Sequence, residues 1–345
     1  MAGGSATTLE RPTKQSVRPF HIPKPPNPLA SLRRSAWRAH VALLPLLHAM
    51  DPIKPSNTCV NLQILWLKAL AGAQGSTDDY VSYRMLPKKS RWIISRPFCW
   101  LFPPWHSETV ARRTRFIDEA LGGMLDEAGA AGADTGDSPL AAAAAASSSP
   151  RIHMITLGAG FDTRAMWQVG RECTTWIDVD LPQVIEQKRQ MLQRLARRRP
   201  ELAPRIPGMQ GADLSTRSGR AVVRRAAASA PAGSRPVILC EALLMYLPDR
   251  CARALLRTCG RVDGARLVFA DRLPGGVENR EEAEALLRSL GLTLCEWRIN
   301  SNMGVEASTH GQMGVARAAG DARALKASGA RVSSARHMGV ARAAS

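Results

Sequence analysis

The sequence is poor in several features that define other classes of protein. No apolar run approaches the roughly 18 uninterrupted positions that a membrane-spanning helix needs. The seven Cys are odd in number and form no C-x-x-C pair, which argues against both a disulfide framework and a thiolate zinc site. The seven His are scattered along the chain, so we assign none of them to a metal or a general base. These shortages favour a soluble protein of a reducing compartment, and we expect the cytoplasm.

Acidic residues are also scarce. The 29 Asp and Glu stand against 47 Lys and Arg, which leaves a net charge of +18 and raises the question of a polyanionic partner. More than half of that surplus lies in residues 1–77 and 301–345, and only eight of the 47 cations are Lys. A bias in base composition explains such a pattern as well as selection for binding does. We therefore do not expect nucleic-acid binding to be the main role of the chain, and we predict no membrane partner.

Composition shifts divide the chain into three parts. Residues 1–76 form a basic, Pro- and Arg-rich extension, which is either disordered or a transit segment for a plastid or mitochondrion. Residues 77–318 form the folded domain, interrupted by an Ala-, Gly- and Ser-rich insertion at 127–150 that we expect to be flexible. Residues 319–345 are a low-complexity tail.

A seven-residue sequence occurs twice near the C-terminus. Met313–Ala319 and Met338–Ala344 are identical. Two copies are too few for a solenoid, which needs at least about three repeats. We interpret one copy as a strand and the other as a loose tail.

Short apolar runs alternate with longer amphipathic ones between residues 150 and 300. We predict strands at 152–157, 174–179, 237–240, 266–270 and 292–299, and helices at 108–125, 181–198, 249–259 and 279–290. Such alternation is typical of an α/β fold with a doubly wound, mostly parallel sheet and helices on both faces. Ligands of such folds bind outside the carboxyl ends of the strands.

The first predicted strand runs into a glycine-rich turn, Leu157–Arg164. Gly158 and Gly160 allow a tight turn and a close approach of the backbone to a ligand. A dinucleotide fingerprint would have a third glycine where this chain has Thr163. The turn therefore favours a nucleotide-like ligand other than a nicotinamide cofactor.

Acidic residues follow three of the later strands. Asp180 lies twenty residues after Gly160, where a carboxylate can bind both ribose hydroxyls, and Asp178 supports it. Glu241 follows a buried strand and needs a cation, which is either an arginine or a cationic ligand such as a sulfonium or ammonium. Asp213 is either a helix N-cap or an adenine contact.

Taken together, these motifs resemble the leucine carboxyl methyltransferase family of class I S-adenosylmethionine-dependent enzymes. The resemblance extends from about residue 77 to residue 300. It rests on the helix 111–118, the glycine turn 157–164, the acidic segment 178–182, the pair Asp213-Leu214 and the segment 241–247. It implies a Rossmann-like methyltransferase sheet with S-adenosylmethionine as cofactor.

The resemblance also implies roles for individual residues. It assigns the cofactor to Arg84, Arg113, Gly158, Gly160, Asp180, Asp213, Leu214 and Glu241. Arg113 would bind the methionyl carboxylate, with Arg112 as the alternative in register, and Glu241 would lie near the methionyl amino group. Arg84 would take the place of a lysine that the family has near the start of its domain. Tyr246 is the hydroxyl that we predict at the acceptor, although a core tyrosine with its hydroxyl bound to backbone would have the same sequence pattern.

The family resemblance implies the methyl acceptor as well. It predicts methylation of the C-terminal leucine carboxylate of the protein phosphatase 2A catalytic subunit. A carboxylate is already ionised at pH 7, so its methylation needs no general base. The family's long segment after the fifth strand is reduced here to residues 273–290. This departure leaves two alternatives: a small-molecule or RNA-linked carboxylate as acceptor, or a non-catalytic interaction protein with a degenerate pocket.

Overall fold

A computed structural model describes residues 57–86, 91, 104–133, 152–167, 174–299 and 311–318. Predictions for residues 1–56, for residues 134–150 of the insertion and for the tail 319–345, with the second copy of the repeat, lie outside these residues. Within the described ranges, no helix has the length and apolar character needed to cross a membrane.

The strands form one sheet, as predicted. They are β1 (Ile152–Leu157), β2 (Thr174–Asp180), β3 (Gly208–Gly211), β4 (Arg235–Glu241), β5 (Arg266–Asp271), β6 (Leu292–Ile299) and β7 (Gln312–Ala318). Their order is β3-β2-β1-β4-β5-β7-β6, and only β7 runs antiparallel to its neighbours. Leu157 pairs with both Val179 and Cys240, so the carboxyl ends of β1, β2 and β4 reach the same edge of the sheet.

Helices cover both faces of this sheet. They are α1 (Asn57–Ala73), α2 (Tyr80–Met85), α3 (Pro104–Ala133), α4 (Arg164–Trp167), α5 (Pro182–Arg198), α6 (Arg217–Ala228), α7 (Asp249–Cys259) and α8 (Arg280–Ser289), with 3-10 turns at Pro200–Arg205 and Leu244–Tyr246. Apolar residues of α6, α7 and α8 pack on one face, represented by Val223, Leu255 and Leu287. On the other face α3 covers the central strands through Phe116 and Ile117. The fold is thus a doubly wound α/β sheet.

Local sequence explains where several helices begin. Helix α5 starts at Pro182, whose missing N–H costs nothing in the first turn. The side chains of Thr216 and Asn279 cap α6 and α8 by accepting bonds from the backbone N–H groups of Gly219 and Glu282. The starts of α5 and α8 lie within one residue of the predicted ones, whereas α6 was not among the predicted helices.

Helix α1 requires a correction to the predicted domain boundary. It lies inside the extension that we placed at residues 1–76, yet Leu65 and Ala69 are buried in a cluster with Val81, Phe161 and Val184. An apolar helix packed in this way is part of the core, because exposing its buried face would cost hydrophobic free energy. The folded domain therefore includes residues from Asn57 onward.

The insertion and the repeat are each described in part. Helix α3 continues to Ala133 and so includes residues 127–133 of the predicted flexible insertion. The first copy of the repeat is a strand, as expected, and forms β7 between β5 and β6. A Cβ on Gly314 would lie 2.6 Å from the ring of Phe269, so only glycine fits at this position of the sheet.

Candidate active site

The candidate site lies at the carboxyl edge of the sheet, where the loops after β1, β2 and β4 meet. The Gly158 N–H donates to the carbonyl of Val179 (2.9 Å), which joins the glycine turn to the end of β2. Leu243, from the loop after β4, covers Gly158 from the other side, since a Cβ on Gly158 would lie 2.8 Å from its Cδ1. Gly158, Asp180 and Glu241 therefore border one region rather than separate ones.

Both glycines of the turn have conformations that favour glycine. Their φ angles are +61° at Gly158 and +44° at Gly160. A Cβ on Gly160 would lie 2.8 Å from Oδ1 of Asn61 in α1. Left-handed backbone angles and close neighbours together explain why the turn carries no larger side chain.

The Asp180 carboxylate is held against the glycine turn. Its Oδ2 accepts a hydrogen bond from the N–H of Gly160 (2.6 Å), and its Oδ1 accepts one from the N–H of Leu181 (2.6 Å). Burial raises the pKa of Asp180 above its ordinary value, although these two N–H groups oppose the rise. Its neighbour Asp178 is fully buried and pairs with Lys188 of α5 (2.7 Å), so Asp178 supports the end of β2 from inside the fold.

A cluster of buried charges surrounds Glu241. Its Oε2 lies 2.6 Å from Nη1 of Arg164 and 3.1 Å from Nζ of Lys68. Both cations also contact Asp162 of the glycine turn, and the distance from Lys68 Nζ to Asp162 Oδ2 is 3.0 Å. In addition, Arg164 Nε pairs with Asp118 Oδ1 of α3 at 3.0 Å. Helix α1, helix α3, the glycine turn and β4 are thereby joined through charge pairs that water hardly reaches.

These cations keep two of the carboxylates ionised. Burial alone would raise the pKa of Glu241, but Arg164, Lys68 and Arg113 outweigh it and lower the pKa to about 2. Burial opposes ionisation of Asp162 as well, yet Arg164 and Lys68 hold its pKa well below the ordinary value. At the rim of the cluster, burial has a larger effect than the neighbouring cation. It raises the pKa of Asp118 to about 7 despite the contact of Asp118 with Arg164.

Arg113 has unused hydrogen-bonding capacity at two of its nitrogens, whereas in Arg164 only Nη2 is without a hydrogen-bond partner among the described residues. Its side chain is 1% exposed, and its Nε lies 3.6 Å from Oε1 of Glu241. Nε, Nη2 and that Oε1 are all buried without a hydrogen-bond partner among the described residues. Nε and Nη2 form the fork with which a guanidinium binds a carboxylate through two parallel bonds.

Tyr246 lies at the surface, near enough for the charge of Arg113 to act on its hydroxyl. It ends the 3-10 turn after β4, and 58% of it is exposed. Partial burial of its hydroxyl raises the pKa of Tyr246, while the charge of Arg113 opposes that rise. Tyr246 is thus not a core tyrosine, and its phenol is accessible to a second ligand next to Arg113.

The role of Arg84 at the cofactor stays a prediction. This residue lies in the last turn of α2, where its guanidinium stacks over the Tyr80 ring (5.8 Å to the centroid). Burial, followed by the nearby charge of Arg199 at the far end of α5, lowers the pKa of Arg84. The Arg84 guanidinium thus lies against Tyr80 and near Arg199, whereas Ser82, two residues earlier in the same helix, contacts the hydroxyl of Thr163 in the glycine turn (3.1 Å). The cation beside Glu241 is Lys68.

The remaining predicted residues have separate places. Arg112 pairs with Glu108 on the half-exposed side of α3, which favours Arg113 over Arg112 as the residue that faces the site. Asp213 is exposed, and its Oδ1 accepts bonds from the N–H and hydroxyl of Ser215. Leu214 is buried in the core next to α6. Local turn chemistry thus explains Asp213, and packing explains Leu214, without reference to a ligand.

A distinct cavity of about 450 Å³ lies elsewhere, between α3 and the strands β5, β6 and β7. The arginines at its wall are paired: Arg266 with Glu127 (2.6 Å) and Arg298 with Glu119 (3.0 Å). Arg298 also stacks over Phe116. This cavity shares no lining residue with the glycine turn or with the charge cluster around Glu241.

The strand order with an antiparallel β7, the glycine turn after β1 and the acids after β2 and β4 define a Rossmann-like methyltransferase. More specifically, the chain belongs to the leucine carboxyl methyltransferase family, whose model matches residues 68–260, more than half of the chain. The match begins at Lys68, one of the buried cations of the site. The family comprises S-adenosylmethionine-dependent methyltransferases.

None of the curated proteins compared with the chain matches it. Among solved structures, the chain is similar to magnesium protoporphyrin IX methyltransferase from Synechocystis PCC 6803 with bound SAM, at 11% identity over 62% of this chain and 84% of that chain (TM-score 0.38). It is also similar to a DUF574 family protein from Streptomyces avermitilis, at 14% identity over 60% of this chain and 83% of that chain (TM-score 0.38).

Proposed function

We propose that the chain is a carboxyl O-methyltransferase that methylates the C-terminal leucine carboxylate of the protein phosphatase 2A catalytic subunit in the cytoplasm. One observation supports the binding of the cofactor. Nε and Nη2 of Arg113 and the nearby Oε1 of Glu241 are buried without hydrogen-bond partners among the described residues. Family membership supports the acceptor half.

The charges of the site suit the amino-acid end of S-adenosylmethionine. The Arg113 fork would bind the methionyl carboxylate through two bonds, and Glu241 Oε1 would accept a bond from the ammonium group. A buried guanidinium N–H and a buried carboxylate oxygen are both costly when they lack hydrogen bonds, even within an ion pair, and one zwitterionic ligand would satisfy both. Asp180 lies at the end of β2, where it would bind the ribose hydroxyls.

The acceptor side follows from exposure and charge. S-adenosylmethionine, when bound, supplies a methyl group already activated on a sulfonium. Tyr246 is exposed beside Arg113, so its hydroxyl would donate to an acceptor carboxylate and orient it. Because that carboxylate is ionised at pH 7, the protein has to align it and exclude water rather than remove a proton.

Methyl transfer to a synthetic peptide tests the proposal. The peptide carries the phosphatase C-terminal sequence with a free leucine carboxylate, and its matched control carries a C-terminal amide. We expect radiolabel from S-adenosylmethionine in the free acid alone, as an ester that mild base removes. Label in both peptides would place the methyl group elsewhere than on the terminal carboxylate and would overturn the proposal.

A second acceptor class is favoured by one structural feature. Only residues 272–279 connect β5 to α8, so the segment after β5 is short, as predicted. A site with less protein around its acceptor side suits a small-molecule or RNA-linked carboxylate. Labelling of a cell extract with radioactive S-adenosylmethionine, followed by identification of the labelled species, distinguishes this candidate from the phosphatase.

A non-catalytic protein that retains the sheet is the remaining rival. Calorimetry with S-adenosylhomocysteine separates it from both enzyme proposals. A protein with a working site should release or absorb measurable heat at submillimolar ligand. The absence of heat would favour the interaction protein.

A further inference from the structure

Asp271 ends β5 at the same edge of the sheet and takes no part in the charge cluster described above. It is fully buried, and its two carboxylate oxygens accept four backbone hydrogen bonds. The donors are the N–H groups of Leu243 (2.5 Å), Leu244 (2.6 Å), Met245 (3.2 Å) and Arg272 (2.7 Å). Three of these four belong to the turn after β4.

That turn joins the cofactor side of the candidate site, at Glu241 and Gly158, to the acceptor side, at Tyr246. It begins after Glu241, covers Gly158 with Leu243 and ends at Tyr246. Ala242 at its start has a φ of +51°, a conformation that costs free energy for a residue with a Cβ. Something outside the turn must therefore hold it in place. The Asp271 carboxylate, which binds three successive N–H groups, is suited to do so.

The two sides of the site depend on this turn to different degrees. Glu241 is fixed by its own contacts with Lys68 and Arg164, which do not involve Asp271. Tyr246 is exposed, so its place beside Arg113 depends on the turn that carries it.

We propose that Asp271 is a positioning residue for the methyl acceptor: it holds the turn 242–246 so that the Tyr246 hydroxyl stays beside Arg113. This proposal rests on the proposed carboxyl methyltransferase function, and it assigns Asp271 to acceptor turnover rather than to cofactor affinity. Its charge is what matters, since a carboxylate can accept four N–H bonds. An amide has one acceptor oxygen and directs its own N–H groups at the remaining donors.

Hydrogen exchange tests the structural half without any acceptor. In Asp271→Asn, the amides of residues 243–246 should exchange at least about tenfold faster than in the unchanged protein, as expected for local opening. Peptides from α3 should exchange at the same rate in both. The exposed Asp263→Asn is the matched control and should change neither segment. If Asp271→Asn does not fold, Asp271→Ser removes the charge without adding volume and is measured in the same way.

A double-mutant cycle tests the functional half with the free-acid phosphatase peptide. Asp271→Asn should lower kcat/KM for the peptide by about tenfold or more, but should change the Kd for S-adenosylhomocysteine by less than about threefold. In a Tyr246→Phe background the same substitution should lower kcat/KM by less than about twofold, because the hydroxyl that Asp271 positions is already gone.

The outcomes separate this proposal from the proposed function. Unchanged exchange at residues 243–246, or a loss of S-adenosylhomocysteine affinity as large as the loss of turnover, would overturn the role of Asp271. Additive effects in the cycle would overturn it as well. If the peptide is not methylated by the unchanged protein, the acceptor assignment fails. Faster exchange with an intact Kd would then still support the positioning of the turn by Asp271.

Discussion

Arg113 and Glu241 face each other across the candidate site with 3.6 Å between Nε and Oε1. The two groups form an ion pair but no hydrogen bond, and neither facing atom has a hydrogen-bond partner in the described part of the chain. In a buried environment such an arrangement is unfavourable unless a ligand completes it. A bound amino acid, with opposite charges on neighbouring groups, would do so.

The first prediction concerns the fork of Arg113. Arg113→Lys keeps the charge but loses the parallel pair of donors, so we expect the Kd for S-adenosylhomocysteine to rise by about 10- to 100-fold, equivalent to roughly 1.5–3 kcal/mol. Calorimetry measures this. The neighbouring Arg112→Lys, on the half-exposed side of the same helix, is the control and should leave Kd unchanged. A larger effect at Arg112 would show that α3 faces the site in another register.

The second prediction separates Lys68 from Arg84. Lys68→Met leaves Glu241 and Asp162 buried with one cation fewer, which should lower the free energy of unfolding by about 3–5 kcal/mol and weaken cofactor binding. Arg84→Met loses mainly a stacking contact with Tyr80, for which we expect about 1 kcal/mol or less. Chemical denaturation measures both. Equal losses in the two variants would contradict the assignment of Lys68 to the site.

The third prediction concerns the glycine turn. Gly158→Ala puts a Cβ at a φ of +61° and 2.8 Å from Leu243, so we expect a loss of about 1–3 kcal/mol in stability and weaker cofactor binding. A second substitution, Leu243→Ala, removes the overlap with Cδ1 and Cγ but leaves the Cβ of residue 243 at 2.9 Å, so it should restore only a small part of the stability. Gly122→Ala in α3 meets no atom within 4 Å and should instead stabilise the protein, by up to about 1 kcal/mol. Stabilisation by Gly158→Ala would refute the described turn.

The fourth prediction is an acid-induced loss of stability. The folded-state pKa of Glu241, about 2, lies below its ordinary value of 4.5, so its contribution is complete above pH 4.5 and is lost as the pH falls toward 2. Asp162 acts with the same sign. Asp118, with a raised pKa, acts with the opposite sign, but its contribution no longer changes below about pH 3.8.

Thermal unfolding between pH 4.5 and 2.5 measures this loss. The unchanged protein should lose stability more steeply over that interval than Glu241→Gln, which cannot titrate at this position. The Glu241 contribution is on the order of 3 kcal/mol. Parallel pH dependences would mean that the charge cluster contributes little to the fold.

The fold and the acidic residues of the site could be predicted from the sequence because parallel strands end at a common edge of the sheet. A buried strand reads as an apolar run, and the residue after it lies at the carboxyl edge, so Asp180 and Glu241 could be brought to one place without coordinates. Asp271 follows β5 in the same way, and that pattern could have singled it out. The register of the sheet could not be predicted from the sequence. The shared direction of the parallel strands was enough to place Asp180 and Glu241 at the same edge.

The sequence was less informative about Lys68 and Arg84. Lys68 was missed because its helix precedes the motifs that define the domain, although a lone cation among apolar residues is a signal for a buried partner. Arg84 was predicted because it follows the frame of residues 78–83, where the family has a lysine, and such a frame does not show which neighbours a side chain contacts. Asp162 and Arg164 were part of a quoted motif, but only the folded chain shows that they connect α1, α3 and β4.

The position of Lys68 also limits how the chain can be shortened. Helix α1 delivers this ammonium group to Glu241 and Asp162 from a part of the sequence that precedes the glycine turn by about ninety positions. A peptidase that matures the protein, or a shortened version made for crystallisation, can remove residues only upstream of Asn57. A cut inside α1 that removed Lys68 would leave both buried anions to share Arg164, with only the more distant Arg113 as a further cation for Glu241.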